Sequence, residues 1–223
     1  MEIIANTADE LFDKTLSLMI DIDDEIVAKE LINANLVLTN PIENTMCNCL
    51  RKMSLKYAIC EHLWYNSCNN SLTSINKYSK FWNKVSDDGK TVNSNYGWCI
   101  KNKYNFDQWE IIKKLLQTNP STRQAILHIK EPRNLIENPT KDVNCTLTLQ
   151  FILRNNKLDL IVNMRSNDIW LGLPYDLFNF TCMQIQMAME LDVEVGTYYH
   201  NVGSLHLYRN TLCKMEVSND NNT

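Results

Sequence analysis

The stretch Asn163-Met164-Arg165-Ser166-Asn167-Asp168-Ile169-Trp170-Leu171-Gly172-Leu173-Pro174-Tyr175-Asp176 decides how this chain is read. It sets one strong cation, a few polar groups and a Gly/Pro turn between an apolar strand and an apolar helix. A loop at a strand end, followed by a helix start, is where sheet proteins commonly bind ligands. The planar fork of Arg165 suits a phosphate, because it can donate to two oxygens at once. The plainer reading is a surface turn whose Arg165 makes an ordinary salt bridge.

Working outward, residues 146–154 and 157–165 alternate as a hairpin, with Asn155-Asn156 as its turn. Cys145 stands at the hairpin entry. A lone Cys beside a strand is commonly an inert core thiol. A guanidinium brought next to it would favour the thiolate, and the hairpin spacing allows Arg165 to be that group. On the other side, Leu177 to about Leu191 reads as an apolar, Met-rich helix. Val193 to Gly196 then leads into a strand from Tyr198 to Tyr208. His206 and Tyr208 share one face of that strand.

Further out, residues 7–20 read as an amphipathic helix opened by a Thr7/Glu10 capping box. Residues 22–38 read as a helix running into a strand, ended by Asn40-Pro41. Residues 54–66 read as a helix capped by Ser54, with Leu55, Tyr57, Ile59, Leu63 and Trp64 as a broad apolar surface. Glu61 lies among them, either solvated on the outer face or buried for use. Residues 105–117 form another amphipathic helix, ended by Asn119-Pro120. Arg123-Gln124 precedes a strand over 125–129.

At 223 residues, with 44% hydrophobic and 22% charged residues, one soluble globular domain is expected. The net charge of −4, without a dense basic block, argues against sequence-independent nucleic-acid binding. No signal peptide or membrane-spanning run is read. The eight Cys are expected as reduced thiols in a cytoplasmic compartment. Cys47-x-Cys49 with Cys60 and Cys68 does not have the spacing of a standard zinc site, and no metal is expected.

Taken together, Arg165-Ser166-x-Asp168 and Leu171-Gly172-Leu173-Pro174 resemble the nucleotide-binding segment of the thymidylate synthase family. The resemblance extends over Glu61 to Tyr208, about two thirds of the chain. Asp176 stands where thymidylate synthases carry a uracil-reading Asn, and Asp there is similar to the deoxycytidylate hydroxymethylase branch known from T-even phages. The resemblance implies an α/β fold with a large mixed sheet, helices packed on it, and a homodimer formed by sheet-to-sheet packing. It implies Cys145 as nucleophile and Glu61 as the group that organises water and protons. It implies Arg165, Ser166 and a partner-chain Arg123 on the phosphate, with Gln124 in place of a second Arg. Gln150 and Tyr96 would contact the nucleotide, and His206 with Tyr208 would hold the sugar 3′-hydroxyl. Trp82, at its interval before Tyr96-Gly97, would stack on folate, although simple core packing is the plainer reading of Trp82 alone. Asp168 would hold the pterin beside Gly172.

The implied reaction starts with addition of the Cys145 thiolate at carbon 6 of a pyrimidine, which makes carbon 5 a nucleophile toward methylenetetrahydrofolate. Water then gives a hydroxymethyl product, whereas hydride gives a methyl product and dihydrofolate. A protonated Asp176 offers one donor and one acceptor, matching nitrogen 3 and the amino group of cytosine. A thymidylate synthase, another pyrimidine-nucleotide hydroxymethylase acting on CMP or dUMP, and a non-catalytic nucleotide-binding relative stay open as alternatives. The polar tail from Thr211 is shorter than the folate-closing segment of the family.

Overall fold

A computed structural model describes residues 1–20, 28–48, 50–130 and 140–212 of the chain. In chain order the elements are β1 (Glu2–Ala5), α1 (Ala8–Ile20), β2 (Ala28–Leu38), α2 (Leu55–Asn66), α3 (Leu72–Ile75), α4 (Phe81–Val85), α5 (Tyr96–Lys101), α6 (Gln108–Thr118), β3 (Ile126–His128), β4 (Thr146–Arg154), β5 (Lys157–Asp168), α7 (Leu173–Leu191) and β6 (Glu194–Tyr208). The strands form one mixed sheet in the order β1-β2-β6-β5-β4-β3. β1 with β2 and β5 with β6 run parallel, and the other neighbouring pairs are antiparallel. The mixed sheet expected from the sequence is therefore present.

Alternation along the strands separates two faces. One carries Leu36, Leu38, Phe151, Leu160, Val162, Tyr198 and Val202, all buried. α1 and α7 pack on the sheet and contribute Leu11, Phe12, Phe180 and Met187 to the same core. Full burial of each such side chain contributes roughly 1.5–3 kcal/mol. The other face is half-exposed and polar at its centre. There Asn163 Nδ2 donates to Thr148 Oγ1 at 3.1 Å, and Asn201 Nδ2 donates to Asn163 Oδ1 at 3.2 Å. This ladder joins β4, β5 and β6.

The Thr7 cap forms as read, Glu10 N donating to Thr7 Oγ1 at 3.2 Å, while the reciprocal Glu10 bond goes one residue further back, Asn6 N donating to Glu10 Oε2 at 2.8 Å. The hairpin turn forms too, with Asn155 and Asn156 at φ +49° and +60°, values that Asn tolerates. Four expectations are corrected. Residues 28–38 are strand throughout, paired along their length with β6 and over Asn35–Leu38 also with β1, where Leu36, Val37 and Leu38 are buried; residues 22–27 of the expected helix lie outside the described residues. The apolar stripe of α2 faces outward, with Leu55, Ile59 and Leu63 at 45%, 44% and 60% exposure, while Ala58, Glu61, Trp64 and Tyr65 face the core. β5 runs on to Asp168, so Arg165 and Ser166 sit on a strand paired with β6 and not in a loop. α7 begins at Leu173, so Asp176 falls in its first turn.

Candidate active site

The pairing of β4 with β5 brings the hairpin entry to Arg165, whose backbone N–H donates to Cys145 O at 2.8 Å. The guanidinium is exposed but clamped. Nε donates to Asn144 O at 3.2 Å, Nη2 to Val143 O at 2.9 Å and Nη1 to Ser166 Oγ at 3.1 Å. Nη2 also lies 3.5 Å from Cys145 Sγ, and Ser166 Oγ lies 3.7 Å from the same sulfur. The juxtaposition expected from the hairpin is present, but its expected effect is incomplete. Burial pushes the Cys145 thiol above its ordinary value, and the carboxyls of Asp176 and Asp142 add to the rise. Arg165 and Ser166 pull the other way without overcoming it. In this state a thiol, not a resident thiolate, is the stable form.

The segment before Cys145 is also held from its other side. The buried Asp142 accepts from Ser94 N at 2.8 Å and from Ser94 Oγ. Asn144 Nδ2 donates to Asn93 O at 3.3 Å. Two residues after Ser94, Tyr96 is buried between Tyr65 and Phe180, with ring centroids 5.0 and 5.6 Å away. Gly97 follows it because an added Cβ would lie 1.7 Å from Tyr65 O.

Two carboxyls, Glu61 and Asp176, belong to the same group of residues. Glu61 is 5% exposed, accepting from Tyr57 Oη at 2.6 Å and from Asn179 Nδ2 at 2.9 Å. Burial raises its pKa to about 7, and these two hydrogen bonds hold it down against that rise. Tyr57 Oη in turn accepts from Trp82 Nε1 at 3.0 Å. Trp82 is buried and packs against Trp64 at 5.1 Å and Phe81 at 5.6 Å. Asp176 is held well above the ordinary carboxyl range, first by burial and then by the nearby charge of Glu61, while a hydrogen bond from Asn167 lowers it. A helix N-terminus favours a carboxylate by roughly 0.3–1 kcal/mol. Burial and the Glu61 charge work against that favourable term. Gly172 is required by close approach: a Cβ there would lie 2.6 Å from Asn167 Oδ1 and 3.3 Å from Asp176 Oδ2.

Asp168 closes the turn below, its Oδ1 accepting from Trp170 N at 2.7 Å and Leu171 N at 2.8 Å. Its Oδ2 is buried without a partner, an orphan acceptor that fits a donor-rich ligand such as a reduced pterin. Asp168 and His206 are register partners, and the His206 ring meets Tyr208 edge-on at 5.0 Å. Gln150 and Arg123 stand apart from this group. Gln150 Nε2 donates to Arg123 O at 2.8 Å, five residues along β4 from Cys145, roughly 17 Å at about 3.4 Å per residue.

The sequence reading missed Tyr57, Asn167, Asn179, His200 and Arg51. Tyr57 had a signal, since it lies one helical turn before Glu61. Arg51 lies over the rings of Trp170 and Tyr175 at 5.8 and 5.6 Å and donates from Nε to Trp170 O at 2.7 Å. Among the described residues no group of three or more His, Cys, Asp or Glu side chains is placed to hold a metal ion.

The family model described as thymidylate synthase matches residues 40–221. A deoxyuridylate hydroxymethyltransferase of Bacillus phage SP01 is 35% identical over 192 residues, covering 81% of this chain and 50% of that protein. A deoxycytidylate 5-hydroxymethyltransferase of Enterobacteria phage T4 is 30% identical over 156 residues, covering 65% of this chain and 63% of that protein. The chain thus spans between half and two thirds of the length of these relatives. Among solved structures, the thermostable thymidylate synthase A from Bacillus subtilis superposes with a TM-score of 0.76 at 23% identity, covering 94% of this chain and 82% of that one. That likeness agrees with the mixed sheet and its helices.

Proposed function

This chain belongs to the thymidylate synthase family, and on that premise we propose that it is a deoxycytidylate 5-hydroxymethyltransferase. One observation carries the choice of base: a carboxyl, Asp176, stands half-buried in the first turn of α7 next to Gly172, and desolvation and the Glu61 charge raise its proton affinity well above the ordinary carboxyl range. A neutral carboxyl donates to nitrogen 3 of cytosine through its O–H and accepts from the amino group through its other oxygen. Uracil presents a carbonyl in place of the amino group, so a buried oxygen would face another oxygen. Such a mismatch costs about 1–3 kcal/mol, or roughly tenfold to over a hundredfold in preference.

Cys145 adds to carbon 6 once its proton is lost, a step favoured by the adjacent Arg165 guanidinium. Arg165 and Ser166 hold the phosphate, with the clamp on the Val143 and Asn144 carbonyls fixing the guanidinium's direction. Glu61, poised at about 7, moves protons and directs water to the one-carbon unit on carbon 5. Methylenetetrahydrofolate supplies that unit, and Asp168 holds its pterin through the orphan oxygen. His206 and Tyr208 take the sugar hydroxyl. The half-exposed sheet face is the dimer surface, and Arg123 serves the partner's phosphate site, which accounts for its distance from Cys145.

A second reading has one specific support: the SP01 relative is named for deoxyuridylate. Incubation with methylenetetrahydrofolate and either dCMP or dUMP tests both readings, with product mass and dihydrofolate absorbance followed. A hydroxymethyl product from dCMP without dihydrofolate is expected. The same product from dUMP would transfer the assignment to the second reading, and a methyl product with dihydrofolate would make the enzyme a synthase.

A further inference from the structure

A row of three side chains crosses the sheet at His206, and one of them has no part in the function proposed above. Glu30 of β2 is the register partner of His206 on β6, and His206 is the register partner of Asp168 on β5. Opposed residues of an antiparallel pair share a face, with Cβ atoms about 4.5–5.5 Å apart. Glu30 and His206 are such a pair. The Glu30 side chain is exposed, and its carboxylate accepts from Ser204 Oγ. Ser204 stands two residues before His206 on the same face of β6, so this bond draws the carboxylate across onto that strand. The adjacent cation points elsewhere: Lys29 Nζ donates to Ile20 O. Asp168 is committed to the turn below it through Trp170 N and Leu171 N.

Donor and acceptor counting says what this corner can take. His206 Nδ1 lies 3.3 Å from Ser204 O. A carbonyl only accepts, so Nδ1 carries a proton and donates it. The ring nitrogen left for a ligand is Nε2, which accepts in the neutral ring. A sugar 3′-hydroxyl has a hydrogen to give it. The 3′ oxygen of a phosphate ester has none, and its phosphate would bring a second anion to the Glu30 carboxylate.

We propose that Glu30 is a specificity-determining residue, an anionic guard beside His206 that confines the site to nucleotides with a free 3′-hydroxyl and turns away those carrying a 3′-phosphate or 3′-phosphodiester. The inference rests on the proposed function, in which His206 and Tyr208 take that hydroxyl. Ser204 is the positioning residue, because its hydroxyl holds the carboxylate on the His206 side of the strand pair. The two ends of the nucleotide then meet opposite charges, the Arg165 guanidinium at the 5′ side and the Glu30 carboxylate at the 3′ side. Like charges near a surface repel over roughly one Debye length, about 8 Å at physiological salt. The guard therefore weakens as salt rises, which separates it from a role in packing.

The test measures binding by calorimetry, without folate, of dCMP, its 2′,3′-dideoxy counterpart and deoxycytidine 3′,5′-bisphosphate, at about 50 and 500 mM NaCl. The parent should bind dCMP best, the dideoxy nucleotide less well and the bisphosphate weakest. Glu30→Gln can still accept from Ser204 Oγ but carries no charge. In that variant the bisphosphate-to-dCMP ratio of dissociation constants should fall roughly tenfold at low salt, and its change with salt should disappear. Ser204→Ala should lower the ratio by a smaller factor. A purely structural role would weaken all three ligands together and leave the ratio where it was. A ratio unmoved in Glu30→Gln, with the dideoxy nucleotide still binding less well than dCMP, overturns the guard and leaves the sugar assignment standing. Equal binding of dCMP and the dideoxy nucleotide overturns the sugar assignment and the guard with it. The deoxyuridine series, run in parallel, keeps the choice of base separate: tighter binding there moves the base assignment, and the same ratio still judges Glu30. If Glu30→Gln does not fold, the Ser204→Ala ratio decides.

Discussion

Cys145 and Glu61 both lie within electrostatic reach of Asp176, and they are held by different physics. On the thiol side the main restraint is Arg165, exposed to solvent and bonded to two backbone carbonyls, Ser166 and the sulfur. On the carboxyl side the partners are neutral and buried: Tyr57, Asn179 and, through Tyr57, Trp82. A charge near solvent orients a group but shifts its pKa modestly. Desolvation shifts it further, and here it raises both the thiol and the carboxyls. The comparison teaches that desolvation raises proton affinity on the carboxyl side, whereas the thiol side carries an exposed cation. On the proposed reading, an arriving phosphate would meet the cation first and the base would reach the carboxyl end.

The largest effect that would sharpen this contrast is loss of the nucleophile. Cys145→Ser should lose at least a thousandfold in turnover, on the order expected for removing a covalent catalyst, while circular dichroism and nucleotide binding stay near the parent. Next comes Glu61→Gln, which keeps the hydrogen bonds to Tyr57 and Asn179 within reach but removes the titration. Turnover should fall roughly 10²–10³-fold, and the break near pH 7 in the rate profile should vanish.

The same substitution reports on stability with a definite sign. The folded carboxyl of Glu61 keeps its proton up to about 7, whereas an unfolded one loses it near the ordinary value. Its contribution to stability is therefore full at low pH and declines as pH rises through that window. Glu61→Gln should match the parent in thermal unfolding near pH 4 and exceed it at pH 8, by roughly 1–3 kcal/mol. Equal melting at both pH values would show that burial does not control the carboxyl side.

Asp176→Asn should move the dCMP-to-dUMP ratio toward dUMP by about tenfold to a hundredfold; an unchanged ratio would remove Asp176 from base reading. The smallest effect belongs to the cationic mouth. Arg165→Lys keeps the charge and loses the fork, so KM should rise roughly tenfold with kcat less affected. A larger fall in kcat than rise in KM would mean that Arg165 serves the thiol more than the phosphate.

The thiol side was legible in the sequence because a hairpin translates spacing into contact. Cys145 lies ten residues before Asn155 and Arg165 nine after Asn156, so hairpin pairing brings them close and the bulge between Thr146 and Thr148 makes up the one-residue difference. The carboxyl side was only partly legible. Glu61 and Asp176 drew attention as polar residues among apolar ones, but Asn179 and Asn167 join them from elements far apart in the chain. His200 sits in a strand run that looks like any alternating edge until the packing of α7 over β6 is known. Leu36-Val37-Leu38 was read as strand, but the first half of β2 was misread because Ile26, Val27 and Leu31 fit a helical period, and only the pairing of that half with β6 decides. α2 was read with its faces reversed, since a core side containing Glu61 is the less apolar of the two. Arg51 carried no local pattern at all; its two ring contacts depend on where α7 begins.

The Asn163 ladder on the open sheet face has a consequence for how the molecule reaches its working form. Asn163 is hydrogen-bonded to Thr148 on one side and Asn201 on the other, and Arg165 lies two residues further along the same strand. A slip of one residue between β4 and β5 would turn every side chain of one strand to the wrong face. It would also leave these amides unmatched and carry the guanidinium away from Cys145. Correct alignment of three strands and assembly of the reactive pair are thus a single event. A thiol-reactivity assay during refolding would report the moment at which the sheet locks.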